Sequence, residues 1–330
     1  MDERNRRAIL VYNPEAGRFP AGVLLPGAVS LLEEAGWEVE IVEATSSVSL
    51  TQSAADAAEQ GLAAVFVAGG DGSVGRVAGA LAGSDTALGV LPSGTANVWA
   101  KELGLPTLTW ANPFALAEAA RRLARGKIRS VDLGMCNDRP FLLWAGMGFD
   151  GKVVNSIGPR QPWSRAFVVA QHAVTALWEA VGWTGVDLKV TADAGEWAGR
   201  YVVAVASNIR AYAGGLLELS PNAKVDDGQL DFWLVEGSSV ADVVGTLVKI
   251  LLGAHVEDPR VVHFTGNRAR FVSETALPMH LDGEPVDIPS PVEISVTPGA
   301  VRVLTPAGGW PAMFADEIET AKPEDRSEPG

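Results

Sequence analysis

The sequence of 330 residues contains one cysteine, Cys136. A single cysteine excludes an intramolecular disulfide and a multi-cysteine metal site, which fits a reducing compartment. No uninterrupted apolar run reaches the roughly 18 residues that a membrane-spanning helix needs. The N-terminal stretch MDERNRRAIL lacks the apolar segment and cleavage site of a signal peptide, so we expect a cytoplasmic protein.

Basic side chains are scarce as well. The sequence has 26 Lys and Arg against 40 Asp and Glu, which gives a net charge of −14. A chain this acidic is poorly suited to tracking a phosphate backbone, and we expect no nucleic-acid partner. The histidines number only 4 and have no HExxH or CxxC neighbours, so zinc chemistry finds no support and we expect them to be structural. An apolar content of 47% excludes a disordered chain.

The first part of the chain alternates strand and helix patterns. The apolar runs at 8–14 and 62–70 are typical of buried parallel strands, and a helical pattern at 49–61 ends at Gly61. A further helix is predicted around 75–82, after the second of these strands. Such alternation with short connections favours a parallel sheet with helices on both faces.

After about residue 131, strand patterns follow one another with turn residues between them. Only two helices, at 163–182 and 239–253, interrupt them, which favours an antiparallel sheet or sandwich. The predicted fold is α/β plus β, with an N-terminal three-layer α/β domain around a parallel sheet and a C-terminal antiparallel β-sandwich domain. The predicted units are 1–131 for the first domain, with 301–314 as a candidate completion of it, 132–300 for the second domain, and 315–330 for a disordered acidic tail.

Glycine-rich turns follow three of the strands predicted in the first part. GGDGSVGRV at 69–77 comes directly after a buried strand, NPEAG at 13–17 and LPSGTAN at 91–97 after two others. Glycine lets backbone N–H groups approach a phosphate closely, and the carboxyl ends of parallel strands are where ligands sit in open α/β sheets. The three turns are therefore predicted to converge on one rim. Taken alone, the segment around Asp71 is also compatible with a tight strand–helix turn in which Asp71 is the N-cap.

The order of these motifs resembles the diacylglycerol-kinase catalytic-domain family, which includes bacterial lipid kinases, diacylglycerol kinases, sphingosine kinases and ceramide kinases. The resemblance spans about 8–306. Further matching segments are VDLG at 131–134, GMGFDGKVV at 146–154, KVDDGQLD at 224–231 and LDGEP at 281–285. GGDG alone also occurs in NAD kinases and phosphofructokinases, so the ordered set carries the resemblance.

The resemblance implies an ATP-dependent, Mg²⁺-using lipid kinase whose nucleotide lies in the cleft between the two domains. The residues that it implies for ATP binding are Asn13, Pro14, Glu15, Ala16, Gly17, Thr45, Gly69, Gly70, Asp71, Gly72, Ser73, Val74, Gly75, Gly94, Thr95 and Asn97. Because phosphoryl transfer depends on donors placed around the phosphates, backbone amides of glycine-rich turns suit this task.

The resemblance also implies the catalytic residues. Glu284 is the expected base that takes the proton of the lipid hydroxyl, with Asp282 beside it, and Asp71 is expected to orient the hydroxyl or help hold Mg²⁺. The alternative for Asp282-Gly283 is a plain hairpin turn, which Asp-Gly signals by itself.

A structural cation, Mg²⁺ or Ca²⁺, is implied at KVDDGQLD. Its expected ligands are the backbone oxygens of Lys224 and Gln229 and the side chain of Asp227, an oxygen-rich set that suits hard cations. A solvated turn is the alternative. The family's third motif often continues Asn-Asp, whereas Val98 follows Asn97 here, so a network joining Asp71 and Asp132 lacks one carboxylate.

A lipid acceptor requires contact with a bilayer. Arg160, Trp163 and Arg165 are candidates for transient membrane contact by a peripheral protein, although the tryptophans of this segment are equally compatible with core packing. Some relatives form homodimers, and the sequence leaves the oligomeric state open. An NAD kinase-like enzyme and a lipid- or nucleotide-binding homologue without turnover are the alternative functions.

Overall fold

The computed structural model describes residues 6–14, 21–109, 111–156, 182–307 and 311–315. The α-helices described are α1 (Ala21–Glu33), α2 (Ser47–Glu59), α3 (Asp71–Leu81), α4 (Val98–Glu102), α5 (Ala115–Ala124), α6 (Phe149–Ser156) and α7 (Val240–Leu251). The strands described are β1 (Arg7–Tyr12), β2 (Glu38–Glu43), β3 (Ala64–Gly69), β4 (Ala87–Pro92), β5 (Lys127–Cys136), β6 (Arg139–Phe141), β7 (Trp144–Gly148), β8 (Val186–Ala192), β9 (Gly195–Ser207), β10 (Ala211–Tyr212), β11 (Leu217–Glu218), β12 (Leu230–Glu236), β13 (Val261–Gly266), β14 (Arg268–Val272), β15 (Met279–Leu281), β16 (Glu284–Val286) and β17 (Val292–Thr305).

Four parallel strands in the order β2-β1-β3-β4 form the N-terminal sheet. Every residue of β3 and β4 is buried, as expected for strands covered on both faces. Helices α1 and α5 pack together, as do α2 and α3, which gives the predicted three layers. Gly61 follows the C-terminal cap of α2 with a φ of +66°, the left-handed conformation that glycine adopts readily.

The second region consists mainly of antiparallel strands. Its core includes a stack in which Phe264 lies between Trp197 and Phe232, with ring centroids 4.4 and 4.9 Å away. Cys136 is buried beside this core, and burial raises the pKa of its thiol to about 12. The α/β-plus-β-sandwich class predicted from the sequence is confirmed.

Two strands join the regions. The first half of β17 pairs with β14, and its second half pairs with β4 through Val303 and Leu88. β5 runs beside β17 along both halves, so the predicted boundary between 131 and 132 falls inside β5. The division into domains stays a prediction.

The helices of the second region differ from those predicted. The helix predicted at 239–253 is confirmed as α7, which Ser239 caps by accepting from the backbone N–H of Asp242. The prediction of only two helices is wrong, because α6 lies outside both predicted ranges. Gly148 ends β7 with a φ of +81°, and Phe149 and Val153, one helical turn apart, are both buried on α6. The helix predicted at 163–182 lies outside the described residues except for Gly182, and the predicted tail is described only at Ala315.

Among the helices described, none combines the length and the apolar character required to cross a bilayer.

Candidate functional site

The carboxyl ends of the four parallel strands bring the predicted nucleotide residues to one rim. Asn13 follows β1, Thr45 lies just beyond β2, and Gly69 ends β3 beside the end of β4. Pro14 follows Asn13 at the same rim, whereas Glu15, Ala16 and Gly17 lie outside the described residues. The position of the rim follows from strand direction alone, as the sequence predicts.

Two glycine-rich turns at this rim touch backbone to backbone. The N–H groups of Ser93 and Gly94 donate to the carbonyl of Gly69 at 3.1 and 3.2 Å. A Cβ on Gly94 would lie 2.3 Å from the Cα of Gly70. Asn97 closes the second turn, since its side-chain amide donates to the carbonyl of Gly94 at 2.9 Å. Thr95 lies within this second turn. Glycine is required at position 94, because no side chain fits between this turn and the Cα of Gly70.

The helix that follows β3 begins within the GGDGS segment, at Asp71, whereas the sequence predicts its start at about residue 75. Only Gly70, the N-cap of α3, separates β3 from that helix, so Gly72, Ser73, Val74 and Gly75 form its first turns rather than a loop. The low helix propensity of glycine accounts for the late start predicted from the sequence. Burial of Val74 against the sheet stabilises the helix that forms instead.

Asp71 is the first residue of α3 and not its N-cap. Its Oδ1 accepts from the backbone N–H of Trp99 at 3.1 Å, so it ties α3 to the start of α4. Burial raises the pKa of Asp71, and the N–H groups of Trp99 and Val98 oppose that shift. Val98 is itself buried, so an apolar side chain occupies the place where the family's pattern often has a carboxylate.

The LDGEP segment forms the hairpin of β15 and β16, as Asp-Gly alone predicts. Asp282 and Gly283 have φ values of 50° and 79°. The Asp282 carboxylate accepts from three consecutive backbone N–H groups, those of Leu142 and Leu143 at 2.8 Å and that of Trp144 at 3.1 Å. Burial, with a smaller contribution from the nearby Asp71, raises the pKa of Asp282 to about 6. Asp282 thus anchors the hairpin, and its catalytic role stays a prediction.

Glu284 lies against the first turn of α3. A Cβ on Gly72 would lie 2.6 Å from the Oε1 of Glu284, so glycine is what allows this approach. Arg76, on the same helix, forms an ion pair with Glu284, and each side chain is about two-fifths exposed. The structure therefore brings the predicted base from the second region to the GGDGS segment of the first.

Sequence reasoning missed Arg76 and a hydrogen-bonded group behind the hairpin. His280 contacts Asp150 at 2.6 Å, and the hydroxyl of Tyr212 donates to the same carboxylate. Arg76 falls inside the glycine-rich segment at 69–77, and this position is the signal that the sequence offers for a role at the site. In the sequence, the signal for His280 is its position two residues before Asp282.

The predicted cation segment gathers carboxylates. The N–H of Gln229 donates to Asp227 at 2.9 Å, and Asp132 accepts from Gly228 at 2.6 Å and Gly299 at 2.7 Å. Burial raises the pKa of Asp227, and the carboxylates of Asp132, Asp231 and Asp226 add to the shift. The ammonium of Lys224 donates to the carbonyl of Ala312 at 2.9 Å. In the part of the chain that the structure describes, no three His, Cys, Asp or Glu side chains are grouped as a metal site.

The predicted membrane residues Arg160, Trp163 and Arg165 lie outside the described residues. Trp183, which follows that segment, packs on Phe149 with ring centroids 6.2 Å apart.

Comparisons with known proteins point to one family and one fold. The family model for the diacylglycerol kinase catalytic domain matches residues 7–136. The family model for the YegS C-terminal NAD kinase beta sandwich-like domain matches residues 145–305. A protein named diacylglycerol kinase from Mycobacterium tuberculosis is 32% identical over 90% of this chain and 94% of its own length. One of the same name from Bacillus subtilis is 25% identical over 84% of this chain and 90% of its own length. The crystal structure of a diacylglycerol kinase from Bacillus anthracis has the same fold, with a TM-score of 0.70 at 22% identity over 92% of this chain and 97% of the other.

Proposed function

This chain belongs to the family of the diacylglycerol kinase catalytic domain, and on that premise we propose that it transfers the γ-phosphoryl group of ATP to a lipid hydroxyl. The observation that carries the proposal is the contact of Glu284 with Gly72. It places a half-exposed carboxylate from the hairpin beside a glycine-rich helix start, and so brings a candidate base next to a candidate phosphate site.

The rim of the parallel sheet suits the ATP phosphates. The amino end of α3 points its N–H groups and its positive dipole end toward the rim, where glycines admit close approach. Asn13 and Thr45 add polar side chains at the neighbouring strand ends. Preorganised donors of this kind stabilise charge that moves among phosphate oxygens during transfer.

Glu284 is the residue we assign as the general base. Its carboxylate takes the proton of the lipid hydroxyl, that oxygen forms a bond to the γ-phosphorus, and the bond from the γ-phosphorus to the β–γ bridging oxygen breaks to release ADP. Arg76 holds the carboxylate beside the first turns of α3. We assign Asp71 to orienting the hydroxyl or holding Mg²⁺, since it lies on the same helical turn as Gly72.

We propose two places for a divalent cation, one at Asp227 and one at Asp71. Asp227 sits among Asp132, Asp226 and Asp231, whose mutual repulsion a cation would relieve. Asp71 is the carboxylate we assign to Mg²⁺ at the rim. When bound there, Mg²⁺ supplies positive charge that neutralises the phosphate oxygens.

A second candidate function is nucleotide and lipid binding without turnover. It is favoured by Val98, a buried apolar residue that follows Asn97 where the family's third motif often continues with Asp. This alternative predicts that the protein binds ATP yet forms no phosphorylated product.

The test is transfer of radiolabelled γ-phosphate to an extract of total lipid with Mg²⁺, followed by chromatography. We expect a labelled lipid that is absent with Glu284→Gln, whose amide keeps the shape but cannot take a proton. If Glu284→Gln labels the lipid as strongly as the wild type does, the assignment of the base is overturned. ATP binding with no labelled lipid would favour the second candidate.

The cation at Asp227 is tested separately by thermal unfolding. We expect a chelator to lower the Tm of the wild type but to have little further effect on Asp227→Ala. A wild-type Tm that does not respond to the chelator would contradict a cation at this site.

A further inference from the structure

A chain of hydrogen bonds lies behind the hairpin that carries Glu284. The hydroxyl of Tyr212 donates to the carboxylate of Asp150, and the Nε2 of His280 lies 2.6 Å from the Oδ2 of the same group. At the other side of the imidazole, the backbone N–H of Gly283 donates to Nδ1 at 3.2 Å. The chain therefore ends on the backbone of the turn itself.

These contacts fix the hydrogen-bonding roles of the two nitrogens of His280. Because Nδ1 accepts from the N–H of Gly283, Nε2–H is the donor to Asp150. The side chain of His280 is 1% exposed. With both nitrogens engaged and no exposure, His280 cannot touch substrate, so any effect that it has on the reaction is transmitted through the turn.

The surrounding backbone leaves room for this chain. A Cβ on Gly146 would lie 2.2 Å from both the Oδ2 of Asp150 and the Nε2 of His280. Gly146 also pairs with His280 in the ladder of β7 and β15. The hydrogen bond thus crosses above a strand residue that has no side chain.

We propose that Tyr212, Asp150 and His280 are positioning residues for Glu284. They hold the Asp282-Gly283 turn through the N–H of Gly283, while the N–H groups at 142–144 hold the Asp282 carboxylate. Glu284 follows this turn directly, so a rotation of the turn moves its carboxylate away from Gly72. The inference rests on the proposed function in that it takes Glu284 as the base.

Two substitutions of His280 separate its contacts. Asn places an oxygen near the position of Nδ1 and keeps the acceptor for Gly283, whereas Gln places an amide near Nε2 and keeps the donor to Asp150. We expect His280→Gln to lower kcat by about ten- to a hundred-fold with KM for ATP unchanged, because misplacement of a reacting group acts on the chemical step. His280→Asn is expected to retain more of kcat, and Tyr212→Phe to lose least.

Activity with short-chain diacylglycerol and hydrogen exchange of residues 279–286 are measured on the full chain. Exchange in this segment should rise more in His280→Gln than in His280→Asn. His263→Gln is the matched control, because His263 also pairs with an aspartate, Asp231 at 2.6 Å, but lies on β13 away from the hairpin.

The outcomes distinguish the two proposals. Losses of kcat that follow Tm equally in both His280 variants would show a purely structural role, and unchanged kcat and exchange in His280→Gln would overturn the inference. Activity that survives Glu284→Gln would instead overturn the base itself. If the wild type is inactive on this lipid, the exchange difference between the two His280 variants still decides whether the chain holds the turn.

Discussion

The two sides of the candidate site are built by different means. At the rim of the parallel sheet, glycines permit contact between backbones, as where Gly94 meets Gly70. In the hairpin, a Cβ on Gly283 would meet nothing within 4 Å, and what this glycine supplies is a φ of +79°. Glycine therefore serves the rim by allowing two backbones to come close, and it serves the hairpin by adopting a positive φ. The two sides of the site meet where Glu284 approaches Gly72.

We expect the largest effects from alanine substitutions of glycine, which compare the loss of stability at a close backbone contact with the loss at a positive φ. Gly94→Ala forces a methyl group into the backbone of Gly70, and we expect it to reduce stability by about 3 kcal/mol and abolish activity. Gly283→Ala should cost only about 1 kcal/mol, because the strain is conformational. Gly27→Ala in α1, where nothing lies within 4 Å, is the control and should be neutral or stabilising. Denaturant unfolding measures all three, and equal losses for Gly94→Ala and Gly283→Ala would remove the distinction.

Asp71→Asn tests the rim without changing its packing. The amide oxygen of Asn can still accept from Trp99, so we expect Tm to change little. Turnover should fall about a hundred-fold or more, because the negative charge that orients the hydroxyl or binds Mg²⁺ is lost. Steady-state kinetics of γ-phosphate transfer give the answer, and activity near that of the wild type would mean that Asp71 only joins α3 to α4.

Asp282→Asn tests the hairpin through pH. The pKa of Asp282 is raised in the folded state to about 6, so its stabilising contribution is complete below its unfolded value and is lost as pH rises through about 6. The Asn variant lacks this titration. The Tm of the wild type minus that of the variant should therefore fall by a few degrees between about pH 4 and pH 6. A constant difference over that interval would mean that Asp282 is ionised throughout.

Arg76→Met should have the smallest effect on stability. Both partners of its ion pair with Glu284 are partly exposed, and such pairs contribute about 0–1 kcal/mol. We nevertheless expect kcat to fall several-fold, because Glu284 loses the contact that joins it to α3. Arg200→Met removes another exposed pair, with Asp187, and should leave kcat unchanged. Equal kinetics for the two variants would show that Arg76 does not place Glu284.

Much of this arrangement could be predicted from local patterns. The buried strands, Gly61 after α2 and the hairpin at Asp282-Gly283 each depend on neighbours in sequence. Helix α6 was missed because its eight residues include glycine and only a short apolar pattern. The resemblance implies a catalytic role for Asp282, which stays a prediction. Its hydrogen bonds from three N–H groups of another segment could not be predicted from any local pattern.

The sequence by itself determined that the N-terminal strands are parallel and that the glycine-rich turns share a rim. The physical reason is that strand and helix patterns alternating with short connections favour parallel strands, and that turn chemistry is local. The tertiary structure alone decided that Arg76 meets Glu284 across 208 positions of chain and that His280 meets Asp150 across 130. Such pairs depend on how β5 and β17 join the two regions. Only the packed chain determines which of its charged and polar groups come within hydrogen-bonding distance.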